Sequence, residues 1–257
     1  MTWAEFGINI LRKLFPPETV EIRLKPKECF QGPVKILGIN GSGRGETGST
    51  AKMLEEFLEH AKKFGAEVKM IHLAEKDIHF CEGCASEKDG CQYPCIHEDD
   101  DTNDILGAIV EADALVFATP NYWAGVPSRL QALLEKMTAL EENHNAVAFQ
   151  DGKDPLLGKP AVLLCSQDGE GAAMVLGRLS WALNHMGLWV LPWGMIFSPN
   201  ILNRPVVRMG MRIINERKFE WIPSTIRLAA RNLVLLTDLL KKENYQWDDF
   251  NEIEPAC

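Results

Sequence analysis

VKILGINGSGRGETGST, residues 34–50, is the stretch that decides the fold of this chain. Residues 34–39 are mostly apolar, which is typical of a strand buried within a sheet. Residues 40–48 are rich in glycine and predict a tight loop. After the loop, apolar side chains such as Leu54 and Leu58 recur at helical spacing. A buried strand followed by a short loop and an amphipathic helix is the first unit of an α/β domain.

The same alternation of strands and helices continues along the chain. Further strands are predicted at residues 67–73, 114–119, 160–165 and 188–197. Helices are predicted near residues 103–111, 126–140, 172–186 and 225–240. This alternation favours one doubly wound domain, in which helices cover both faces of a parallel sheet. We therefore divide the chain into an N-terminal extension (1–33), a single domain (34–243) and a C-terminal tail (244–257).

The composition argues against several classes of protein. Of the 257 residues, 46% are hydrophobic and 25% are charged, which is ordinary for a globular protein. A formal net charge of -9 argues against nucleic acid as a partner. No apolar run reaches the ~18 residues of a membrane helix, and the first residues lack the basic and apolar pattern of an export signal. We therefore expect a cytoplasmic protein without a membrane span.

The densest run of charge in the sequence is acidic and covers residues 98–101. Carboxylates are rarely buried unless they are paired, so such a run usually forms a solvated surface. We interpret it as a solvated face rather than as a metal site.

The loop after the first strand is the first candidate binding site, because ligands of open α/β sheets bind at the carboxyl ends of the strands. It carries several hydroxyl side chains and one arginine at the start of a helix, where free N–H groups favour an anion. These residues suit a phosphate monoester, and the alternative is that Thr47 or Ser49 only caps the helix. The lysine of a nucleoside-triphosphate loop is missing. Gly43, Gly45 and Gly48 match a dinucleotide spacing, but the pattern begins too far from the strand.

Two loops together resemble a known family. Residues 41–51 are similar to the phosphate loop of flavodoxin-like FMN proteins, and in particular to the G-S-x-R-x-x-(x)-G-x-T pattern of the NADPH-dependent FMN reductases. Residues 119–128, after the third strand, are similar to the T-P-x-Y-[FW]-x-[GS] loop that holds the isoalloxazine ring in that family. The resemblance implies a flavodoxin-like, five-stranded parallel sheet in the order 2-1-3-4-5, with FMN as the cofactor of the domain.

The resemblance also assigns residues to the cofactor. The expected phosphate-binding residues are Ser42, Arg44, Gly48, Ser49, Thr50 and Ala51. The expected ring-binding residues are Thr119, Pro120, Asn121, Tyr122, Trp123 and Gly125. A third loop follows the fourth strand and should line the same site by topology, with contacts from Ser166, Asp168 and Gly169. The aromatic side chains of the second loop suit a flat ring, and the alternative is that they pack in the core.

Four of the seven cysteines lie close together in an insert at residues 79–101: Cys81, Cys84, Cys91 and Cys95. The insert resembles the C-x2-C-x2-C-x4–7-C motif of the iron–sulfur flavoproteins, a branch of the same family. The third position of that motif is Glu87 here, and Cys91 is available instead. Four thiolates can hold a [4Fe–4S] cluster or a zinc ion, and they can also bind no metal. The sequence leaves these three alternatives open.

The resemblance implies that the flavin itself carries the redox chemistry, so no catalytic side chain is predicted. It implies NAD(P)H or a ferredoxin as the electron donor, a quinone, a free flavin or a protein as the acceptor, and a homodimer or homotetramer. One alternative is a non-catalytic FMN-binding module with a structural zinc held by the four cysteines. Another is a dinucleotide-dependent enzyme that has no flavin.

Overall fold

Five parallel strands form a single sheet in the order β2-β1-β3-β4-β5. The strands are β1 (Lys35–Asn40), β2 (Glu67–His72), β3 (Ala114–Pro120), β4 (Pro160–Gln167) and β5 (Trp189–Pro199). The predicted strand order is therefore confirmed. The computed structural model describes residues 33–84, 91–96, 98–141, 154–167, 170–199 and 221–243. The direction of winding reverses between β1 and β3, and ligands of such sheets bind beside that point.

Five α-helices of the described residues surround the sheet, as the alternation of the sequence predicts. They are α1 (Ser49–Lys63), α2 (Thr102–Glu111), α3 (Ser128–Lys136), α4 (Ala172–His185) and α5 (Trp221–Lys242). On one face, Phe57 of α1 and Leu233 of α5 belong to the same buried cluster. On the other face, Ile109 of α2, Leu133 of α3 and Leu179 of α4 belong to a second buried cluster. The apolar stripe of each helix is buried against the sheet, which gives the doubly wound architecture.

The element boundaries differ from the predicted ones by more than two residues in two places. Helix α3 ends at Lys136 and continues as one turn of 3-10 helix, Met137–Leu140, whereas the sequence predicts one helix over 126–140. Helix α5 begins four residues earlier than predicted, at Trp221. The predicted extension and tail lie outside the described residues, apart from residue 33. Within the part of the chain that is described, no helix has both the length and the apolar character needed to cross a bilayer.

The first loop and β3 approach each other closely at the point where the winding reverses. The Gly41 N–H donates to the Ala118 carbonyl over 2.8 Å. A Cβ atom at Gly41 would come within 2.8 Å of the Leu130 side chain on α3. Glycine suits this close approach, because a Cβ atom here would have to displace the buried Leu130 side chain.

Candidate functional site

The buried side chain of Asn40, at the end of β1, holds the first loop in shape. Its Oδ1 accepts from the Ser42 N–H over 3.1 Å, and its Nδ2 donates to the Gly45 carbonyl over 3.1 Å. The same Nδ2 donates to His72 Nδ1 on β2 over 2.9 Å. Asn40 is not among the residues predicted from the sequence. A buried amide directly before a glycine-rich loop is the signal that points to this role.

The start of α1 offers the backbone donors of an anion site. Its N-cap is Gly48, and within the described residues no side chain caps this helix end. The N–H groups of the first turn lack partners inside the helix, so those of Ser49, Thr50 and Ala51 are available to a ligand. The buried hydroxyl of Ser42 accepts from the Arg44 N–H over 3.3 Å, and Arg44 lies exposed at the rim. This donor set fits a phosphate group.

Thr50 takes a different position from the one expected of a phosphate-binding hydroxyl. Its Oγ1 lies 2.7 Å from the Ser166 Oγ, and both side chains are buried. This hydrogen bond joins α1 to the end of β4. Both hydroxyls therefore contribute to how the first and third loops are held together, and Thr50 can contribute to anion binding through its backbone N–H.

The second loop contains a tight turn that displays an aromatic side chain. Tyr122 and Gly125 exchange two backbone hydrogen bonds of 3.0 and 2.9 Å. Between them, Trp123 and Ala124 have φ values of +52° and +59°, the combination of a type I′ turn. Residues other than glycine, asparagine and aspartate are costly in this left-handed region. The turn leaves Trp123 fully exposed and Tyr122 about half exposed.

Asn121 ties the second loop to the third. Its Oδ1 accepts from the Ala124 N–H over 2.9 Å, and its Nδ2 donates to the Glu170 carbonyl over 2.6 Å. Its backbone N–H donates to the Ser166 carbonyl over 2.8 Å. The neighbouring Thr119 is buried and donates its hydroxyl to the Pro120 carbonyl, so this threonine acts within the loop.

The third loop ends at the N-terminus of α4, where a side chain already accepts a hydrogen bond from a backbone N–H. Gln167 Oε1 accepts from the Ala172 N–H at the start of α4 over 2.8 Å. Gly171 has a φ of +103°, and a Cβ atom there would lie 2.9 Å from Asn121 Nδ2. The start of α4 is thus engaged by a side chain while the start of α1 is not, which favours α1 as the anion site. The predicted contacts Asp168 and Gly169 lie outside the described residues.

The structure brings the four cysteines of the insert together. Cys91 and Cys95 are buried, and Cys81 and Cys84 are partly buried. Burial raises the pKa of the Cys91 thiol to about 12, and the charges of Cys84, Cys95 and Cys81 and a hydrogen bond with Cys84 contribute to the rise. Such mutual effects require neighbouring sulfur atoms, so Cys91 belongs to the group. A bound cation would reverse this effect and favour the thiolates.

The acidic run at residues 98–101 is only partly the solvated face that the sequence predicts. Glu98 and Asp99 are exposed, but the Asp100 side chain is 0% exposed and lies 2.5 Å from the buried Lys136 Nζ. Asp101 accepts from the Asp77 N–H over 2.8 Å. The interpretation is wrong for Asp100, because its ion-pair partner is 36 residues away and the local pattern does not show it.

One further group of ligand-type side chains lies beside the first loop. Among the described residues, Glu46, His72 and Glu75 place their ligand atoms within 4.8 Å of one another. The Nδ1 lone pair of His72 accepts from Asn40, so a neutral ring carries its proton on Nε2. Neither ring nitrogen is then free to bind a metal. We assign this group to the packing of the loop.

We expect Ala124→Gly to stabilise the protein slightly. Relief of the left-handed strain is worth about 1–2 kcal/mol, and the extra freedom of glycine in the unfolded chain offsets about 0.5–1 kcal/mol of it. The net gain in the free energy of unfolding is about 0–1.5 kcal/mol, and urea titration measures it. Ala132→Gly in α3 is the control and should destabilise by about 1 kcal/mol. Equal losses in both variants would contradict the strained turn.

We expect the contribution of Asp100 to stability to depend on pH. Burial alone would raise the pKa of Asp100, but hydrogen bonds from Lys136, from Thr102 and from the His79 N–H outweigh it and hold the pKa well below its usual range. A depressed pKa in the folded state stabilises the protein above the unfolded value of about 3.9, and this stabilisation is lost as the pH falls further.

Asp100→Asn should therefore lower the free energy of unfolding by about 3–5 kcal/mol at neutral pH. The difference from the wild type should shrink below about pH 4. Urea titrations of both proteins from pH 7 to pH 3 measure it. A difference that is constant over this range would contradict the assignment.

Comparisons with known proteins agree with this geometry. The sequence pattern of the NADPH-dependent FMN reductase family matches residues 34–201. An iron–sulfur flavoprotein of Methanocaldococcus jannaschii is 35% identical over 107 residues, which cover 42% of this chain and 53% of that protein. An iron–sulfur flavoprotein of Archaeoglobus fulgidus is 35% identical over 103 residues, covering 40% and 48%. The chain thus spans about half the length of these relatives.

A longer match of lower identity and two solved structures extend the comparison. An FMN-dependent NAD(P)H:quinone oxidoreductase of Pseudomonas aeruginosa is 26% identical over 167 residues, covering 61% of this chain and 78% of that protein. The structure of RosB with bound 8-demethyl-8-formylriboflavin-5'-phosphate has a TM-score of 0.64 at 21% identity, covering 87% of this chain and 93% of that one. A flavone reductase has a TM-score of 0.59 at 20% identity, covering 83% and 66%. These structures share the fold.

The family pattern covers most of the chain, including the first two loops and the cysteine insert, and the flavodoxin-like sheet is the one that the resemblance implies. The chain therefore belongs to the NADPH-dependent FMN reductase family.

Proposed function

We propose that this protein is an FMN-dependent oxidoreductase that passes electrons from NAD(P)H or a ferredoxin to a quinone, a free flavin or a protein. The observation that carries the proposal is the uncapped N-terminus of α1, which lies beside the strained turn of the second loop at the carboxyl ends of β1 and β3. Phosphate donors and a flat aromatic surface are the two features that FMN requires. Membership of the FMN reductase family supports the same cofactor.

The phosphate of FMN would bind to the first loop. The backbone N–H groups of Ser49, Thr50 and Ala51 would donate to it, and the Ser42 hydroxyl and the Arg44 guanidinium would add side-chain donors. Gly48 keeps this cradle open, because a Cβ atom there would lie 3.0 Å from Ser42 Oγ. The negative charge of the phosphate would be stabilised by the positive end of the α1 dipole.

The ring of FMN would bind between the second and third loops, and when bound it supplies the hydride and electron transfer. The role of the residues of this chain is to hold the ring in position. The hydrogen bonds of the Asn121 side chain to Ala124 and Glu170 fix the second and third loops relative to each other. Tyr122 and Trp123 offer apolar surface, and the backbone of residues 119–125 offers polar groups to the ring edge.

We further propose that Cys81, Cys84, Cys91 and Cys95 hold a [4Fe–4S] cluster. The names of the relatives in Methanocaldococcus jannaschii and Archaeoglobus fulgidus support iron and sulfur. The spacing of the thiols also supports a ligand larger than one ion. No three of these sulfur atoms, all of which are described, lie within 4.8 Å of one another. Sulfurs around one zinc ion, each about 2.3 Å from the metal, would lie about 3.8 Å apart.

We also propose a homodimer or homotetramer that works in the cytoplasm. Met174 and Trp181, seven residues apart on α4, are 66% and 70% exposed. Trp181 borders a groove of about 340 Å³ between α3 and α4, and exposed apolar surface of this kind supports contact with a second copy. The five described cysteines are free thiols, which supports a reducing compartment. Sedimentation of the purified protein measures the mass of the assembly.

The test of the proposed function is the absorption spectrum of anaerobically purified protein, with FMN, iron and zinc measured on the same sample. We expect one FMN and about four irons per chain. Cys84→Ser should remove the iron and leave the flavin. Cys165→Ser, at a buried cysteine outside the insert, is the matched control and should keep both. A colourless protein that takes up no added FMN would overturn the proposal, and zinc in place of iron would support the non-catalytic module.

The double variant Arg44→Ala/Ser49→Ala should bind FMN about tenfold to a hundredfold more weakly. The expected loss follows mainly from removing the Arg44 guanidinium, because a hydrogen bond to a charged phosphate is worth about 1.5–3 kcal/mol and the backbone N–H of residue 49 remains. Fluorescence titration of the flavin-free protein measures the dissociation constant. Arg227→Ala removes one positive charge on the exposed face of α5 and should leave the affinity unchanged. Equal affinities in all three proteins would contradict the assignment of the phosphate loop.

A further inference from the structure

A buried ion pair between Lys136 and Asp100 lies where the two ends of the cysteine insert meet. We call this meeting point, residues 77–79 and 100–102, the neck of the insert. Lys136, the last residue of α3, places its Nζ 2.5 Å from Asp100 Oδ2 and 3.0 Å from Thr102 Oγ1. The Lys136 and Asp100 side chains are 1% and 0% exposed. Burying two charges carries a large desolvation cost, which a pair repays only if the remaining hydrogen bonds of both groups are satisfied. The pair therefore calls for a role beyond general stability.

The hydrogen bonds of Asp100 connect the two ends of the insert. Its Oδ2 accepts from the His79 N–H over 2.9 Å, and its Oδ1 accepts from the Thr102 N–H over 2.8 Å. The backbone N–H of Asp101 donates to the Asp77 carbonyl over 2.9 Å just below. All four cysteines lie between residues 79 and 100, so the Asp100 carboxylate, which Lys136 holds, links the two ends of the loop that carries them.

A second pair of hydrogen bonds connects the neck to Cys95. Asn103 Oδ1 accepts from the Cys95 N–H over 2.7 Å, and Asn103 Nδ2 donates to the Cys95 carbonyl over 2.9 Å. Asn103 follows Thr102, whose hydroxyl accepts from Lys136. The orientation of Cys95 therefore depends on the segment that Lys136 holds.

Lys136 also belongs to the helix that follows the second loop. Helix α3 has Pro127 as its N-cap, directly after the Tyr122–Gly125 turn and Val126. Its nine residues give it a length of about 13 Å. A rigid helix thus joins the turn that displays Trp123 to the neck of the cysteine insert.

We propose that Lys136 is a positioning residue, which through Asp100 holds the cysteine loop closed and fixes it relative to the flavin loops. The identity of the cluster rests on the proposed function, whereas the closure of the loop does not. In the closed loop the four thiols are gathered before any cluster binds, and α3 sets their position relative to the second loop. Replacing Lys136 leaves the buried Asp100 carboxylate without its partner. The two ends of the insert are then no longer held together.

The experiment compares the wild type with Lys136→Met and with the control Lys62→Met. Lys62 pairs with Glu59 on the surface, with side chains 52% and 59% exposed, so the control removes a lysine of an exposed pair. Iron-free full-length protein is treated with iodoacetamide, and the alkylation rate of each cysteine is followed by mass spectrometry. Cys165 is buried at the end of β4 and reports global unfolding.

We expect Cys91 and Cys95 to be alkylated at least tenfold faster in Lys136→Met, with Cys165 unchanged and FMN content at the wild-type level. Anaerobic reconstitution with iron and sulfide should then give less than half of the wild-type iron per chain, and the remaining cluster should have a shifted reduction potential. The Lys62→Met protein should match the wild type in every measurement.

The double variant Lys136→Met/Asp100→Asn covers the case in which the single variant does not fold, because it leaves no unpaired buried charge. This double variant should also increase the alkylation rates of Cys91 and Cys95, but by a smaller factor than Lys136→Met does. Unchanged alkylation of Cys91 and Cys95 in the folded variants would overturn the proposal, and so would an equal increase at Cys165. Selective alkylation in a protein whose wild type takes up no iron would support the positioning role and overturn the iron–sulfur function.

Discussion

The hydrogen bond from the Gly41 N–H to the Ala118 carbonyl joins the ends of β1 and β3 at the point where the sheet changes its direction of winding. Because Gly41 has no side chain, this contact forms without displacing Leu130. It places the first loop beside the second, and every part of the candidate site is arranged around this approach. The cysteine insert follows β2 on the same edge, so the sheet brings three otherwise distant segments together.

The N-termini of α1 and α4 both lie at this edge, but they differ in their hydrogen-bond partners. This difference explains where an anion can bind. At the start of α4 the Gln167 side chain accepts from the Ala172 N–H, whereas at the start of α1 the N-cap is Gly48 and no described side chain caps the helix. The hydroxyls of Thr50 and Ser166 are used between the loops and not at the helix end. Binding of an anion at α1 therefore completes the hydrogen bonding of the protein instead of competing with it.

The sequence was sufficient to predict the features that depend on local pattern. These are the five strands, the helices α2 and α4 to within one residue, the two motif loops, and the insert with its four cysteines. The order of the strands came from the resemblance to the family. It could not predict features that depend on distant partners. Asp100 is buried by Lys136, and Thr50 pairs with Ser166 across 116 residues. The left-handed turn at Trp123 and Ala124 also escaped prediction, because it lacks the glycine or asparagine that usually marks it.

The turn between Tyr122 and Gly125 has a consequence for the entropy of binding. Its two backbone hydrogen bonds and those of the Asn121 side chain order the loop in the protein without any ligand. The conformational freedom of these residues is therefore lost during folding and not when a planar molecule arrives. A planar molecule that binds at this turn meets a backbone that is already ordered, so more of the contact energy appears as affinity.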